Sequence, residues 1–389
     1  MDKSHSLIYI PVNAPSVYNP MHTNSIDFAP LKQAVHRLLG LRVLEVTHLG
    51  RGYFNTVHEL KVDKGPPLVA RINYNFKTDP KSKEWAISRL TREMHVIELV
   101  RRVSPSVPIP RILAQDLDPE NSISAPFTIM ERMYGEDQWK AWPTWSQPEK
   151  VKFISSLAEA TVGIFQVSLP SIGTVDRLDE DGRPIVIPFF YHPSGTRTPA
   201  PCSNIDDYVT LRLDLATKLP STQPLPDFSV PDLLLRLRSL AKRLIPHDNP
   251  TLLQPILVHN DLDVRNIMVK DGTVSAVIDW EMHAVLPAYL AASYPPFIRY
   301  DGIYDPKYDI VNRKMPTRES WATIDEGPAL RAAFREAAGK LSSDFIRALD
   351  RGDKLRQLLE FVSFLGDGVR NFVACYEWER ETTAALDFP

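Results

Sequence analysis

Cysteine is nearly missing from this chain: Cys202 and Cys375 are the only two in 389 residues. Two thiols so far apart exclude a disulfide framework and a cysteine zinc site. No stretch approaches the roughly eighteen apolar residues that a membrane-crossing helix needs. The opening residues, MDKSHSLIYIPVNAP, fall short of the apolar core of a signal peptide. An excess of one charge is missing too. Lys+Arg 45 against Asp+Glu 48 leaves a net charge of −3, which offers no general attraction to nucleic acid or anionic lipid. These absences predict a cytoplasmic protein with neither a nucleic-acid nor a membrane partner. They leave the oligomeric state open.

Proline, by contrast, is abundant at 34 residues, nearly twice the average usage, and it crowds between elements as long ordered loops require. A hydrophobic share of 43% and a charged share of 24% are those of a globular protein. The length exceeds one ordinary core, so two lobes are expected.

Most of the chemistry lies between Leu257 and Glu281, LVHNDLDVRNIMVKDGTVSAVIDWE. His259, Asp261 and Asn266 stand in an H-x-D-x4-N spacing, and Asp279 follows in I-D-W-E. Between them, the apolar runs IMV and VSAVI are joined by Lys270-Asp271-Gly272-Thr273, which predicts a tight hairpin. One acid precedes a strand pair and another follows it. Phosphoryl transfer from ATP uses such an arrangement, because its chemistry is mostly positioning and charge neutralisation. A carboxylate must orient and deprotonate the acceptor, and oxygen ligands must hold Mg2+ against the phosphates. Asp261 fits the first role; Asn266 and Asp279 fit the second. His259 is expected to be structural, beneath the metal-binding turn. An ordinary polar loop would account for H-x-D alone, but not for the hairpin and Asp279 in register with it.

Upstream, Ser25 to Leu41 has helical spacing that Gly40 stops. The β-rich runs VLEVTHL, VHELKV and LVARINY follow. Gly50-Arg51-Gly52-Tyr53-Phe54-Asn55 joins the first two. Gly50 and Gly52 permit close backbone approach to phosphates, with Asn55 standing where a left-handed residue is wanted. A plain hairpin turn would use the same residues. Arg71 ends the third strand among apolar neighbours, and Lys83 to Val103 reads as an amphipathic helix whose apolar stripe includes Glu93. A carboxylate on a buried face needs a partner. Arg71 is the natural one, unless it is an exposed strand end and Glu93 lies at the rim. Val107–Leu113 and Phe127–Met130 are further strand candidates. The linker Glu131–Gly135 would offer backbone groups to adenine, with Glu131 and Met133 as the nucleotide-side positions.

These readings divide the chain into an extension with a helix (1–42), a nucleotide-binding sheet lobe (43–134) and a larger lobe (135–389). From Gln147 the larger lobe is helical. Residues 176–250 form an insertion that is either a substrate wall or packing; it holds a turn at Asp179–Gly182, the aromatic cluster Phe189-Phe190-Tyr191-His192, and helical patterns at Ile205–Ala216 and Pro231–Leu244. Single helices over Glu326–Leu349 and Asp353–Thr382 are expected to close the chain.

The order of parts, from Gly-rich hairpin, inward cation and helix carboxylate through linker and HNDLDVRNIMV to IDWE, resembles the aminoglycoside phosphotransferase family. That family belongs to the wider protein-kinase-like fold, and the resemblance is greatest to members in filamentous fungi. It covers roughly Val43 to Tyr294. It implies an α+β, two-lobed fold with a small antiparallel-sheet N-lobe and a larger, mainly helical C-lobe. By position, it makes Asp261 the catalytic aspartate, Asn266 and Asp279 the metal ligands, and Arg71 the phosphate cation with Glu93 as its helix partner. ATP and Mg2+ are the implied cofactors, and a small-molecule alcohol or amino alcohol the implied acceptor. The family usually carries Lys where Arg71 stands. Arginine keeps the charge and adds bidentate geometry, but it is bulkier. That departure motivates an alternative, a non-catalytic nucleotide-binding scaffold. A protein kinase fits less well, because I-D-W-E replaces D-F-G and no A-P-E follows.

Overall fold

Gly40 ends the first helix as its sequence position predicts. Helix α1 (Ala29–Leu39) stops there because Gly40 takes a left-handed φ of 68°, which a residue without Cβ adopts freely. The structure, a computed structural model, describes residues 27–52, 54–73, 80–189, 202–217, 229–308, 310, 320–365 and 369–387.

Next come β1 (Val43–Arg51), β2 (Asn55–Val62), β3 (Leu68–Asn73), helix α2 (Pro80–Val103), β4 (Ile112–Asp116) and β5 (Phe127–Glu131). The five strands form one antiparallel sheet in the order β1-β2-β3-β5-β4. Alternation sorts its two faces. Leu60, Leu68, Ala70, Ile72, Phe127 and Ile129 are buried in one core with Leu31, Ala34 and Val35 of α1. Val57, Arg71 and Thr128 are directly paired across neighbouring strands, so they share the opposite face. Arg71 thereby points away from α1, toward α2 and the larger lobe.

Only part of the expected strand at Val107–Leu113 forms. Pro108 and Pro110 have no N–H to donate to a ladder, and β4 begins at Ile112. Val107 and Ile109 instead join a second core with Val277 and Trp280. The Pro108 carbonyl accepts from the Val277 amide at 2.7 Å.

The larger part continues with β6 (Glu136–Asp137), α3 (Gln138–Ala141), α4 (Gln147–Phe165), β7 (Thr174–Leu178), β8 (Pro184–Ile187), α5 (Ile205–Thr217), α6 (Val230–Leu244) and α7 (Pro250–Leu253). Strands β9 (Pro255–Val258), β10 (Ile267–Lys270), β11 (Thr273–Val277) and β12 (Ala284–Pro287) surround the central motif. Helices α8 (Ala288–Ala291), α9 (Gly327–Leu341), α10 (Ser343–Arg351), α11 (Asp353–Phe364) and α12 (Val369–Asp387) complete it. A capping box between Ser146 and Glu149 starts α4. Its Phe153, Ile154, Leu157 and Ala158 enter the main core beside Val264, Ile267 and Val269 of the motif.

The turn expected at Asp179–Gly182 forms, joining β7 to β8; the rest of the cluster beginning at Phe189, residues 190–192, lies outside the described residues. Two expectations need correction. The helix expected over Glu326–Leu349 is two. Ser342 turns extended, and its Oγ accepts the Phe345 amide at 3.1 Å, so a competing N-cap outweighs helical continuity. The last helix is also two, because α11 ends at Phe364 and α12 starts at Val369. The architecture is the α+β, two-lobed, protein-kinase-like one: a small antiparallel sheet with its helices, and a mainly helical larger lobe.

Candidate active site

Asp271 and Gly272 have φ of 53° and 72°, so both central residues of the β10–β11 turn are left-handed, as the two-residue primed turn requires. Ile267 pairs with Val277, and the Ile278 amide extends the ladder to the Asn266 carbonyl at 2.9 Å. Asn266 and Asp279 therefore come to the same end of the hairpin. Asp279 is itself left-handed, at φ 67° and ψ 61°, a strained state for a residue with a side chain. Its neighbour Trp280 holds the turn: the indole is buried, its Nε1 donates to the Val277 carbonyl at 3.0 Å, and its backbone amide donates to Glu93 Oε1 at 3.2 Å.

His259 lies beneath this turn. Its Nε2–H donates to the Ile278 carbonyl at 3.0 Å, its Nδ1 accepts the Asp261 amide at 3.3 Å, and its ring meets Trp280 edge-on at 4.6 Å. That pair of bonds needs a neutral ring, and burial lowers the His259 pKa to about 4. Asn266 Nδ2 donates to both the carbonyl and Oδ2 of Asp261, at 2.8 and 2.9 Å. Asp261 is thus fixed by the residue expected to ligate metal. Burial, then the nearby Asp279 and Asp263 carboxylates, raise the Asp261 pKa well above the usual range.

Above the hairpin, Arg71 reaches across from β3. Its Nη1 lies 2.5 Å from Glu93 Oε1, and its Nη2 lies 3.1 Å from Asp279 Oδ1 and 3.4 Å from Glu281 Oε2. Burial alone would depress this guanidinium, but Glu93, Asp279 and Glu281 reverse the effect and leave it raised. Glu281 also accepts from Arg89 Nη1 at 2.9 Å. Burial pushes Glu93 up, and Glu281 to about 8, against the downward pull of the arginines. Arg71, Glu93, Asp279 and Glu281 form one network that ties the sheet, α2 and the hairpin end together.

The remaining predicted positions are more loosely placed. Gly50 sits opposite Val57 in the β1–β2 ladder, and the Gly52 amide donates to the Asn55 carbonyl at 2.8 Å. Asn55 is not a left-handed turn residue. It opens β2, opposite Asn73, because the ladder claims it; Tyr53 lies outside the described residues. Glu131 ends β5, and its Oε2 accepts the Arg111 amide at 3.2 Å. The Met133 carbonyl accepts from the Arg132 guanidinium, whose Nε also donates to Glu59 Oε2 at 2.9 Å. The linker is fastened to β2 through this arginine.

Sequence reasoning missed Arg89 and Glu281. The signal was faint: Arg89 stands four residues before Glu93 and so on the same helix face, and Glu281 closes the I-D-W-E motif. Among the described residues no group of three or more His, Cys, Asp or Glu could hold a metal. An Asn–Asp pair still suits Mg2+, which keeps waters and phosphate oxygens as its other ligands. With Nδ2 of Asn266 on Asp261 and Oδ1 of Asp279 on Arg71, the opposite oxygens, Oδ1 of Asn266 and Oδ2 of Asp279, are the ones suited to a cation.

A clavilactone A biosynthesis cluster protein Y of Ampulloclitocybe clavipes is 27% identical over 270 residues, 65% of this chain and 64% of that protein. This chain thus spans less than two thirds of that relative's length. A subtelomeric hrmA-associated cluster protein of Aspergillus fumigatus is 24% identical over 353 residues, 75% of this chain and 67% of that protein. Both relatives come from fungi. Among solved structures, a thermostable mutant of the aminoglycoside phosphotransferase APH(4)-Ia is similar in its apo form (18% identity, TM-score 0.46, 91% of this chain and 97% of that one). So is a ternary complex of such a mutant with AMP-PNP and hygromycin B (18% identity, TM-score 0.49, 92% and 97%). The model of the phosphotransferase enzyme family, APH, matches residues 45–289. With well over half of its length inside that match, this chain belongs to the APH phosphotransferase enzyme family.

Proposed function

We propose that this protein is an ATP-dependent O-phosphotransferase that moves the γ-phosphate to a hydroxyl of a small-molecule alcohol or amino alcohol. The observation that carries this reading is the junction of Asp261, Asn266 and Asp279 at one hairpin end with the Arg71–Glu93 pair against it. In this reading residues 43–134 hold the nucleotide, 135–389 hold the acceptor, and Gly50, Gly52 and Asn55 cover the phosphates, with Glu131 and Met133 along the adenine side. Asn266 and Asp279 would hold Mg2+, which when bound neutralises phosphate charge. Asp261 orients the acceptor hydroxyl and takes its proton. The amide of Asn266 keeps one carboxylate oxygen in place throughout.

Membership in a phosphotransferase family supports the reaction class, and a relative named for a biosynthesis cluster supports a small-molecule acceptor. No helix among the described residues is long and apolar enough to cross a membrane, and both cysteines are free and buried, which fits a cytoplasmic setting. One observation favours a second reading, a non-catalytic nucleotide-binding scaffold. Both terminal nitrogens of Arg71 are already engaged by carboxylates.

Thermal melting with ATP, with and without Mg2+, followed by a screen of alcohol and amino-alcohol metabolites for ATP consumption, tests the proposal. Metal-dependent stabilisation and turnover of one acceptor class are expected. Stabilisation by ATP that ignores the metal, with no turnover, selects the scaffold; no stabilisation in either condition removes both readings.

A further inference from the structure

One buried cation at this site has an unused hydrogen-bonding edge. Arg89 stands on α2 one turn before Glu93 and is only 3% exposed. Its Nη1 donates to Glu281 Oε1 at 2.9 Å. The Phe54 ring lies 3.7 Å from its Cζ and the Trp85 ring 4.5 Å. Its Nε and Nη2 are buried with no hydrogen-bond partner among the described residues. Those two atoms form the side-on edge of the guanidinium, the fork that grips two oxygens of a carboxylate or phosphate together. Folded proteins rarely bury charged donors unpaired, because desolvation is then uncompensated.

The surroundings identify the missing acceptor. Phe54 belongs to the Gly-rich turn, and Glu281, two residues beyond Asp279, shares its other oxygen with Arg71. The empty edge therefore lies among the turn, α2 and the end of the hairpin. Of the nearby carboxylates, Glu93 Oε1 and Asp279 Oδ1 lie on Arg71 and Glu281 lies on both arginines, while Glu93 Oε2, one helical turn from Arg89, is buried with no hydrogen-bond partner on either arginine. Arg71 has both terminal nitrogens on carboxylates, so the free paired donors belong to Arg89.

We infer that Arg89 is a second phosphate-binding cation, whose Nε and Nη2 take two oxygens of a nucleotide phosphate when the turn bearing Phe54 shifts to admit it. This rests on the nucleotide-binding part of the proposed function and adds a residue to it. Arg71 organises the carboxylates, and Arg89, held by Glu281, supplies the fork.

Calorimetric titration of the full chain and its Arg89→Lys variant with Mg·ATP and with adenosine tests the assignment. Lysine retains the charge beside Glu281 but has no fork. Mg·ATP is expected to bind about tenfold more weakly or worse, with adenosine unaffected. Equal loss for both ligands, or no loss, overturns the assignment. If the unsubstituted protein binds no Mg·ATP, it is the nucleotide reading that falls. Should Arg89→Lys not fold, the crystal structure of the unsubstituted protein with Mg2+ and a non-hydrolysable ATP analogue decides. Phosphate oxygens about 3 Å from both Nε and Nη2 support the assignment, and a fork left empty or filled by a protein group overturns it.

Discussion

The Nη2 of Arg71 lies 3.1 Å from the Oδ1 of Asp279, so a cation from the sheet lobe touches a carboxylate from the larger lobe. Glu93 on the other side of the same guanidinium completes a bridge across the cleft. A single lysine ammonium could not span Glu93, Asp279 and Glu281 with fork geometry. The bulkier arginine thus has a structural use here beyond its charge.

Substituting that cation should separate stability from binding. Arg71→Met leaves buried Glu93 unpaired and is expected to lower stability by about 3–5 kcal/mol, read from denaturant unfolding, and to abolish Mg·ATP binding. Arg71→Lys is expected to lose less stability and to retain Mg·ATP binding. A methionine variant that unfolds at the same denaturant concentration as the unsubstituted protein contradicts this account.

Two acids at the hairpin end should fail differently. Asp261→Asn is expected to leave the Mg2+-dependent thermal shift with ATP intact while reducing turnover of an identified acceptor by about 10²–10⁴-fold. Asp279→Asn is expected to remove the Mg2+ dependence of that shift. Parallel behaviour of the two variants would show that the roles are misassigned.

Acid should weaken the fold through its buried imidazoles. His259 and His283 are both buried, and burial lowers each pKa from 6.5 to about 4. Between those values the unfolded chain binds protons that the native state refuses, so the imidazole share of the pH dependence is nil above about pH 6.5 and destabilises as pH drops toward 4. Each ring removes about 3 kcal/mol over that window. Glu281, raised to about 8, acts in the opposite sense because the native state protonates it first, so the imidazole share is read by difference: in melting curves from about pH 8 to 4.5, His283→Gln should lose less stability toward acid than the unsubstituted chain. An unchanged slope in that variant counts against the His283 share.

The insertion should depend on one glycine. Gly173 has φ 156°, and a Cβ built on it would meet the Ile187 carbonyl oxygen at 2.1 Å. Its amide and carbonyl both bond to Val285 of β12, at 3.1 and 2.7 Å. Gly173→Ala is expected to cost roughly 2–5 kcal/mol from backbone strain and overpacking. Denaturation midpoints at or near those of the unsubstituted chain would refute the tight approach.

Much of the site was legible because it is local. The H-x-D-x4-N spacing, the Asp271-Gly272 turn and I-D-W-E lie in one short stretch, where turn chemistry alone sets the register that brings Asn266 toward Asp279. Gly40 likewise announced the end of α1. The Val107–Leu113 and Glu326–Leu349 readings failed on details that periodicity overrides too easily, the missing donors of Pro108 and Pro110 and the capping oxygen of Ser342. Asn55 was misread because a strand ladder outweighed its own turn preference.

By itself, then, the sequence determined the lobes' element types, the hairpin, and the carboxylates on either side of it, since these follow from neighbours along the chain. Only the tertiary structure decided which charges meet. Arg89 and Glu281 are 192 positions apart, and Arg71 and Asp279 208; no local pattern carries such pairings. They exist because burying α2 between the sheet and the hairpin desolvates several charges at once, and each must then find an opposite charge or a ligand.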